Sequence, residues 1–549
     1  MNRRGRLNLL QIVPLLIAGL TLLPVVVVAS SLLTPSVEVW RHLWDTILPG
    51  MLRNTLLLVL GVGVGTAVLG TGLAWLVTAY HFPGRRAFQW MLVLPMAVPA
   101  YIMGFIYIAT FDFAGPVQSL LRDIGLAALV FPDIRSGWGA IVVMTLVLYP
   151  YVYLLAKAGF EEQSATAIEA ARALGASKSR IFFKVALPLA RPSIAAGVSL
   201  ALMEAVADFA TVRYFNFPTI SDGILRTWTG LMDIGAASEL AGLLAILMLA
   251  LLLAERRLRS RRAYHQSKGR TQSSDAVQLL GWRKAAAFLT CVVVLIAAFG
   301  IPAGQLSIWA VGEAAEMTSS EVRTYVELGA NSLTLAGLAA AVSVGLALVM
   351  AGMARLQKGR LVQWASRSVN VGYSIPGAVI AVGVIIPLAA FDRTINEWTQ
   401  AWWGVSPGLI LTGSLVGLTY AYAVRFMAIA YSSVDSSMDK ISPNIVSAAR
   451  SLGAGPLRSI VRIKLPLILP GLLAGATLVF VDVMKELPIT VMLRPFGYDT
   501  LAIWVWQMAA ESLWSAAALP ALAIVVAGLL PIKLLIGLGK PEGRKESST

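Results

Sequence analysis

Glu169-Ala170-Ala171-Arg172-Ala173-Leu174-Gly175, running on to Leu187-Pro188, returns 278 positions later as Ser447-Ala448-Ala449-Arg450-Ser451-Leu452-Gly453, running on to Leu465-Pro466. Between the glycine and the proline, Arg180 falls on Arg458 and Lys184 on Arg462. Each copy is a polar, basic island between long apolar runs. It reads as a short helix, a glycine turn, a second short helix and a proline that opens the next apolar run. Thr166 and Glu169 have capping-box spacing for the first helix of the first copy. In the second copy Ser442 is a cap and Pro443 suits the first helical position. Gly175 and Gly453 stand where a helix ends in a left-handed residue. Ser177 caps the helix that follows, a task that falls to Gly455-Pro456 in the second copy.

Composition places these islands in a membrane. The 549 residues are 57% hydrophobic and 13% charged, with a mean hydropathy of +0.75, where a soluble domain carries about 25% charged residues. The chain is therefore expected to be an all-α membrane protein. Its net charge is +15. The basic residues collect in alternate loops, as membrane topology demands, so nucleic acid is not an expected partner. A lone cysteine, Cys291, excludes a disulfide framework within the chain, and His42, His81 and His265 are scattered. No tightly bound metal is expected. The apolar run from Leu7 to Leu33 is too long for a signal peptide and reads as an uncleaved first span.

Apolar runs of spanning length fall near 9–31, 54–79, 88–111, 137–159, 190–212 and 237–254, and again near 286–309, 331–353, 370–391, 407–430, 467–490 and 515–537. That is about twelve spans, six per half. The loops holding Arg85-Arg86, Lys178-Arg180, Arg355-Lys358-Arg360 and Arg458-Arg462 are basic. The intervening ones hold Asp112, Asp123, Glu313, Glu316 and Glu397. Both termini and both repeated loops (164–188 and 442–466) are thus expected in the cytoplasm. The domains read as 1–255, a basic cytoplasmic linker 256–284 with membrane lipid within reach of its charges, and 285–549. Asn54-Thr55-Leu56 recurs as Asn331-Ser332-Leu333, and Leu94-Pro95 recurs loosely as Ile375-Pro376. Halves preceded by even numbers of spans share one orientation. They are expected to be related by a pseudo-twofold axis along the membrane normal, with a pathway along it.

Four acids lie inside spans. Glu204 and Asp208 are matched at the same offset by Asp482 and Glu486. Each pair has i,i+4 spacing and is expected to share one helix face. Ionisable groups in spans face a cavity or a partner. The acids therefore read either as a lining of hard oxygen groups suited to hard cations or as partners of Lys485, Arg213 and Arg494. Tyr149, Tyr151, Tyr420 and Tyr422 read as interhelical hydrogen-bonding groups.

The repeated loops resemble the cytoplasmic EAA loop of permease subunits of ABC importers. The double-length chain, with Asp482–Thr490 and Leu493–Ala502, is similar to the fused permease of ferric-iron importers. The second loop departs from that pattern in having Ser447 for the glutamate. The resemblance implies an inner-membrane, binding-protein-dependent permease of bacteria. Two copies of an ABC ATPase would dock on Glu169, Ala170, Ala171, Arg172, Gly175, Ser447, Ala448, Ala449, Arg450 and Gly453. A periplasmic or lipid-anchored substrate-binding protein would deliver ferric iron, with Glu204, Asp208, Asp482 and Glu486 along its path. No phosphate-binding lysine motif occurs in the sequence. The chain is therefore expected to be no enzyme and to carry no cofactor, with ATP and magnesium on the partner. Thiamine, polyamine or another small solute are alternative substrates. An ion-coupled secondary transporter is the alternative class, in which the repeated loops would have no task.

Overall fold

The structure is a computed structural model, and it describes residues 9–33, 35, 37–125, 132–162, 171–230, 233–260, 277–356, 359–452, 455, 458 and 460–538. Among these, 12 helices are long and apolar enough to cross a membrane. In chain order they are Gln11–Ser31, Leu48–Ala79, Ala100–Asp123, Gly137–Glu161, Lys178–Ala207, Ile234–Arg257, Trp282–Glu316, Ser319–Leu356, Gly377–Trp403, Leu415–Asp439, Arg462–Met484 and Trp514–Lys533. They are called the first to twelfth spans below. The all-helical, twelve-span expectation holds. The described residues also hold one parallel strand pair, Tyr80–His81 with Val277–Gln278. Within the expected linker 256–284, the described residues include the end of the helix Ile234–Ser260 and the strand Val277–Gln278.

Proline placement shapes several spans. π turns at Phe182–Ala186, Ile296–Gly300 and Ile460–Lys464 each stop two residues before a proline: Pro188, Pro302 and Pro466. A proline offers no N–H to the carbonyl four residues back, and its ring presses on that carbonyl. A wider turn relieves both problems. In the second of these turns, Tyr107 Oη donates to the Ala297 carbonyl at 2.6 Å.

The third and ninth spans open on Pro99 and Pro376, whose backbones are nearly superimposable at φ −57°, ψ 148° and φ −56°, ψ 142°. The structural counterpart of Pro376 is therefore Pro99, not Pro95 as the residue types suggest. Pro95 lies in the preceding 3-10 turn Leu94–Ala97. The tenth span also starts later than expected, at Leu415. Asp392 accepts from Leu411 N at 3.0 Å and Thr412 N at 2.8 Å, which holds the preceding residues out of helix. Ser414 then caps the span by accepting from Gly417 N.

The compact units interleave the two sequence halves. One comprises residues 1–40, 224–245 and 318–504. In it the first span packs on the eighth and ninth and on the short helix Arg360–Ser368, and Tyr420 Oη donates to the Leu20 carbonyl at 2.6 Å. The other comprises residues 41–223, 246–317 and 505–549. In it the seventh and twelfth spans pack on one another and on Ala100–Phe111.

One arrangement occurs in both units. After the fifth span the chain re-enters as the helix Ile220–Gly230, and after the eleventh as Leu501–Ala510. Asn54 Nδ2 donates to the Pro218 carbonyl at 3.0 Å, and Asn331 Nδ2 to the Asp499 carbonyl at 3.0 Å. The next residue completes the joint: Thr55 Oγ1 accepts from Ile220 N at 3.1 Å and Ser332 Oγ from Leu501 N at 2.9 Å. The first N–H groups of a helix have no partner within it, and here a neighbouring span supplies one. Ser332→Ala leaves the Leu501 N–H buried without its acceptor, at a cost of about 1–3 kcal/mol. The thermal midpoint in detergent is expected to fall, and Ser332→Thr to restore it.

Candidate functional site

The first repeated loop is an elbow. Its helix ends at Gly175, whose φ is +74°. Gly175 N donates to the Arg172 carbonyl at 2.9 Å and Ala176 N to the Ala171 carbonyl at 3.0 Å. These are the paired bonds of a Schellman end, which requires a left-handed residue at that position. Among the described residues nothing lies within 4 Å of a Cβ placed on Gly175, so it is the backbone conformation that demands glycine. Ser177 Oγ accepts from Arg180 N at 3.3 Å and caps the next turn, as expected. Arg172 is exposed, and Leu174 is 88% exposed.

In the second loop, the helix Pro443–Ser451 carries Ser447, Ala448, Ala449 and Arg450, and Ser442 Oγ accepts from Asn444 N at 3.3 Å. Leu452, the counterpart of Leu174, is likewise 88% exposed. Glu169, Ala170 and Gly453 lie outside the described residues, as does Thr166 of the expected capping box. The sequence reading passed over the two leucines. Their signal was an apolar residue just before the glycine in both copies of a polar loop.

The span acids are arranged differently from the shared helix face expected. The fifth span ends at Ala207, and Asp208 is already extended, at φ −81° and ψ 115°. Its carboxylate accepts from Thr211 N at 2.8 Å and Thr211 Oγ1 at 2.7 Å, which caps the short helix Ala210–Tyr214. The eleventh span ends at Met484, and Glu486 caps Pro488–Leu493 in the same manner. Its carboxylate accepts from Ile489 N at 3.0 Å and Thr490 N at 3.3 Å. Helix breaks thus part Asp208 from Glu204 and Glu486 from Asp482. A broken helix inside a membrane must find new partners for its freed N–H groups, and these two acids are those partners.

Asp482 pairs with Lys485 at 2.9 Å, one of the pairings the sequence suggested. Arg494 pairs instead with Asp499, and Arg213 lies over the Trp506 ring. Glu204 is half-buried, and among the described residues it has no ion-pair partner. Tyr149, Tyr420 and Tyr422 behave as expected: Tyr149 Oη donates to the Leu92 carbonyl at 2.9 Å, Tyr420 Oη to the Leu20 carbonyl, and Tyr422 Oη meets Thr490 Oγ1.

The residue that sequence reasoning missed is Arg425. Its Nη1 donates to Glu486 Oε1 at 2.9 Å, with the two side chains 12% and 3% exposed. Its signal was an arginine in the apolar tenth span, a position that requires a partner. A Cβ on Gly377 would overlap both Arg425 Nη1 and Glu486 Oε1, so the first turn of the ninth span must be bare for the pair to form. In the first half, Val147 stands 278 positions before Arg425, and Asp208 has no arginine partner among the described residues.

Arg425→Met strands the Glu486 carboxylate and is expected to cost about 3–5 kcal/mol. Adding Glu486→Gln is expected to recover part of that loss. The check is a double-mutant cycle on thermal midpoints in detergent; strict additivity would show that the pair is not coupled.

The family described as binding-protein-dependent transport system inner membrane component matches residues 66–255 and again 343–539. The chain is 26% identical over 504 residues, 92% of each chain, to the Fe(3+)-transport system permease protein FbpB 2 of Haemophilus influenzae. It is 25% identical over 512 residues to the probable ABC transporter permease protein y4fN of Sinorhizobium fredii, covering 86% of this chain and 83% of the relative. The sulfate transport system permease protein CysT of Salmonella typhimurium matches 180 residues at 28% identity, 32% of this chain and 63% of that one. With the pattern matched twice over most of its length, the chain belongs to the binding-protein-dependent transport system inner membrane components, as a double-length, multi-pass permease.

Proposed function

We propose that this permease is the translocation subunit of an ATP-driven importer of ferric iron. The observation that carries the reading is similarity along 92% of both chains to a permease named for Fe(3+). The sulfate relative matches only a third of the chain, and carboxylates in the spans suit a cation better than an oxyanion.

In this reading two copies of a cytoplasmic ATPase bind the two elbows, and hold the ATP and magnesium. A periplasmic or lipid-anchored binding protein presents the metal on the opposite face, and both termini lie in the cytoplasm. The permease itself carries no cofactor and binds metal only in passing, because an ion must leave as readily as it enters. Leu174 and Leu452 are apolar knobs for the ATPase, with Ala171 and Ala448 letting its backbone approach and Arg172 and Arg450 pairing with its acids.

Of the four acids, Glu204 and Asp482 are the ones for the cation, Asp482 by exchanging its contact with Lys485, since Asp208 and Glu486 are committed to helix ends. Thiamine and polyamines, also cationic, remain the alternative cargo.

Gly175→Val puts a β-branched residue at positive φ, at a cost of about 1–3 kcal/mol. Normal membrane abundance with weak ATPase co-purification and little transport is expected; full transport by the variant would reject docking at this elbow. For the pathway, Glu204→Gln with Asp482→Asn keeps shape and removes charge. Uptake of radiolabelled ferric iron is expected to fall sharply with the ATPase still bound. Unchanged uptake with a lowered melting temperature would leave the two acids as structural groups.

A further inference from the structure

The strand pair Tyr80–His81 with Val277–Gln278 joins two segments with different duties. Tyr80 ends the second span, while Val277 closes the stretch between the two halves. Beyond the pair, Leu279 N donates to the His81 carbonyl at 3.1 Å. The receiving side is itself braced. Arg85 Nε donates to the Val77 carbonyl at 2.6 Å and its Nη2 to the Thr78 carbonyl at 3.3 Å, and Nη1 meets the His81 ring at 3.1 Å.

From this joint a chain of ring contacts leads to the first elbow. Lys178 Nζ, in the elbow's second helix, lies 6.0 Å from the centroid of the Tyr80 ring. Trp75 stands edge-on to Tyr80 at 6.4 Å and meets Phe182, in the elbow's π turn, at 5.2 Å. Phe160, at the end of the fourth span, closes the cluster on Trp75 at 5.2 Å.

A strand that served only as a tether would need no register and no partner. This one has both, and the ring of its partner Tyr80 faces Lys178 of the elbow and, through Trp75, Phe182. We infer that residues 277–279 form a clip that pairs with Tyr80–His81 and holds the first elbow in the posture that couples it to the ATPase. The segment joining the halves is then a positioning element for coupling.

The inference rests on the elbow's docking role, and its test separates the two. Tyr80→Cys with Val277→Cys, in a Cys291→Ala background, is expected to cross-link in native membranes, because these residues face one another in the ladder. No cross-link would show that the clip is not formed. Leu279→Pro removes the N–H given to His81 and leaves the spans untouched. In the full complex in proteoliposomes, ATP hydrolysed per ion transported is expected to rise several-fold with membrane abundance unchanged, while Leu279→Ala, which keeps the N–H, behaves as the parent. Should Leu279→Pro not assemble, Tyr80→Leu removes the ring beneath Lys178 and is expected to raise the same ratio less. A parental ratio in the assembled variant would overturn the clip. If Gly175→Val uncouples transport and Leu279→Pro does not, docking stands and only the clip falls; if neither does, docking falls too.

Discussion

A backbone N–H without an acceptor cannot be left in a membrane, and much of this fold follows from meeting that constraint where helices break. The fifth and eleventh spans both stop short, at Ala207 and Met484. Each break exposes the start of a short helix and then of a re-entrant one. A carboxylate closes the first opening, from Asp208 or Glu486. An asparagine and the hydroxyl beside it close the second, from Asn54-Thr55 or Asn331-Ser332. The two halves share this arrangement, with Asp208 and Glu486, and Asn54-Thr55 and Asn331-Ser332, in matching roles.

Within that shared plan the halves diverge in charge. The second half adds Arg425 to Glu486 and clears Gly377 to admit it. The first half has Val147 in the arginine's place. A buried ion pair is a weak source of stability; at the second break it adds a contact to the tenth span that Asp208 lacks among the described residues. The second half also ties its eighth and tenth spans through Arg355 to Asp435 and Asp439, while the second span ends in the strand pair with Val277–Gln278.

Most of the fold was legible because its signals are local. Span number follows from apolar length, the elbow from its glycine and caps, and the repeat from a constant offset. The helix breaks were not legible. Ala205–Asp208 contains no proline or glycine, i,i+4 spacing assumes a helix that continues, and the reading passed over Pro488, which bears on the carbonyl of Met484 where the eleventh span ends. At these breaks the Asp208 and Glu486 carboxylates accept from N–H groups three or four residues on, and the helices that follow are then anchored by residues over a hundred positions away, such as Thr55 at Ile220. The partner of Glu486 was misassigned for a related reason. Lys485 and Arg494 are near in sequence, whereas Arg425 is near only once the tenth span packs beside the break. The match of Pro376 to Pro95 failed because residue types resemble one another there more than backbones do.

The interleaving of the compact units bears on how the chain is made. The first span seats on helices within residues 319–403, which are synthesised roughly 300 residues later. At about 5–20 residues per second that is a wait of roughly 15–60 s. During it the first span resides in lipid without its final neighbours. Nor is the other unit finished by the first half, since it takes in helices from 282–316 and 514–533. Neither half can therefore complete a unit alone during translation. Insertion of spans and their assembly become separate stages, with the early helices held ready by the bilayer until the late ones arrive.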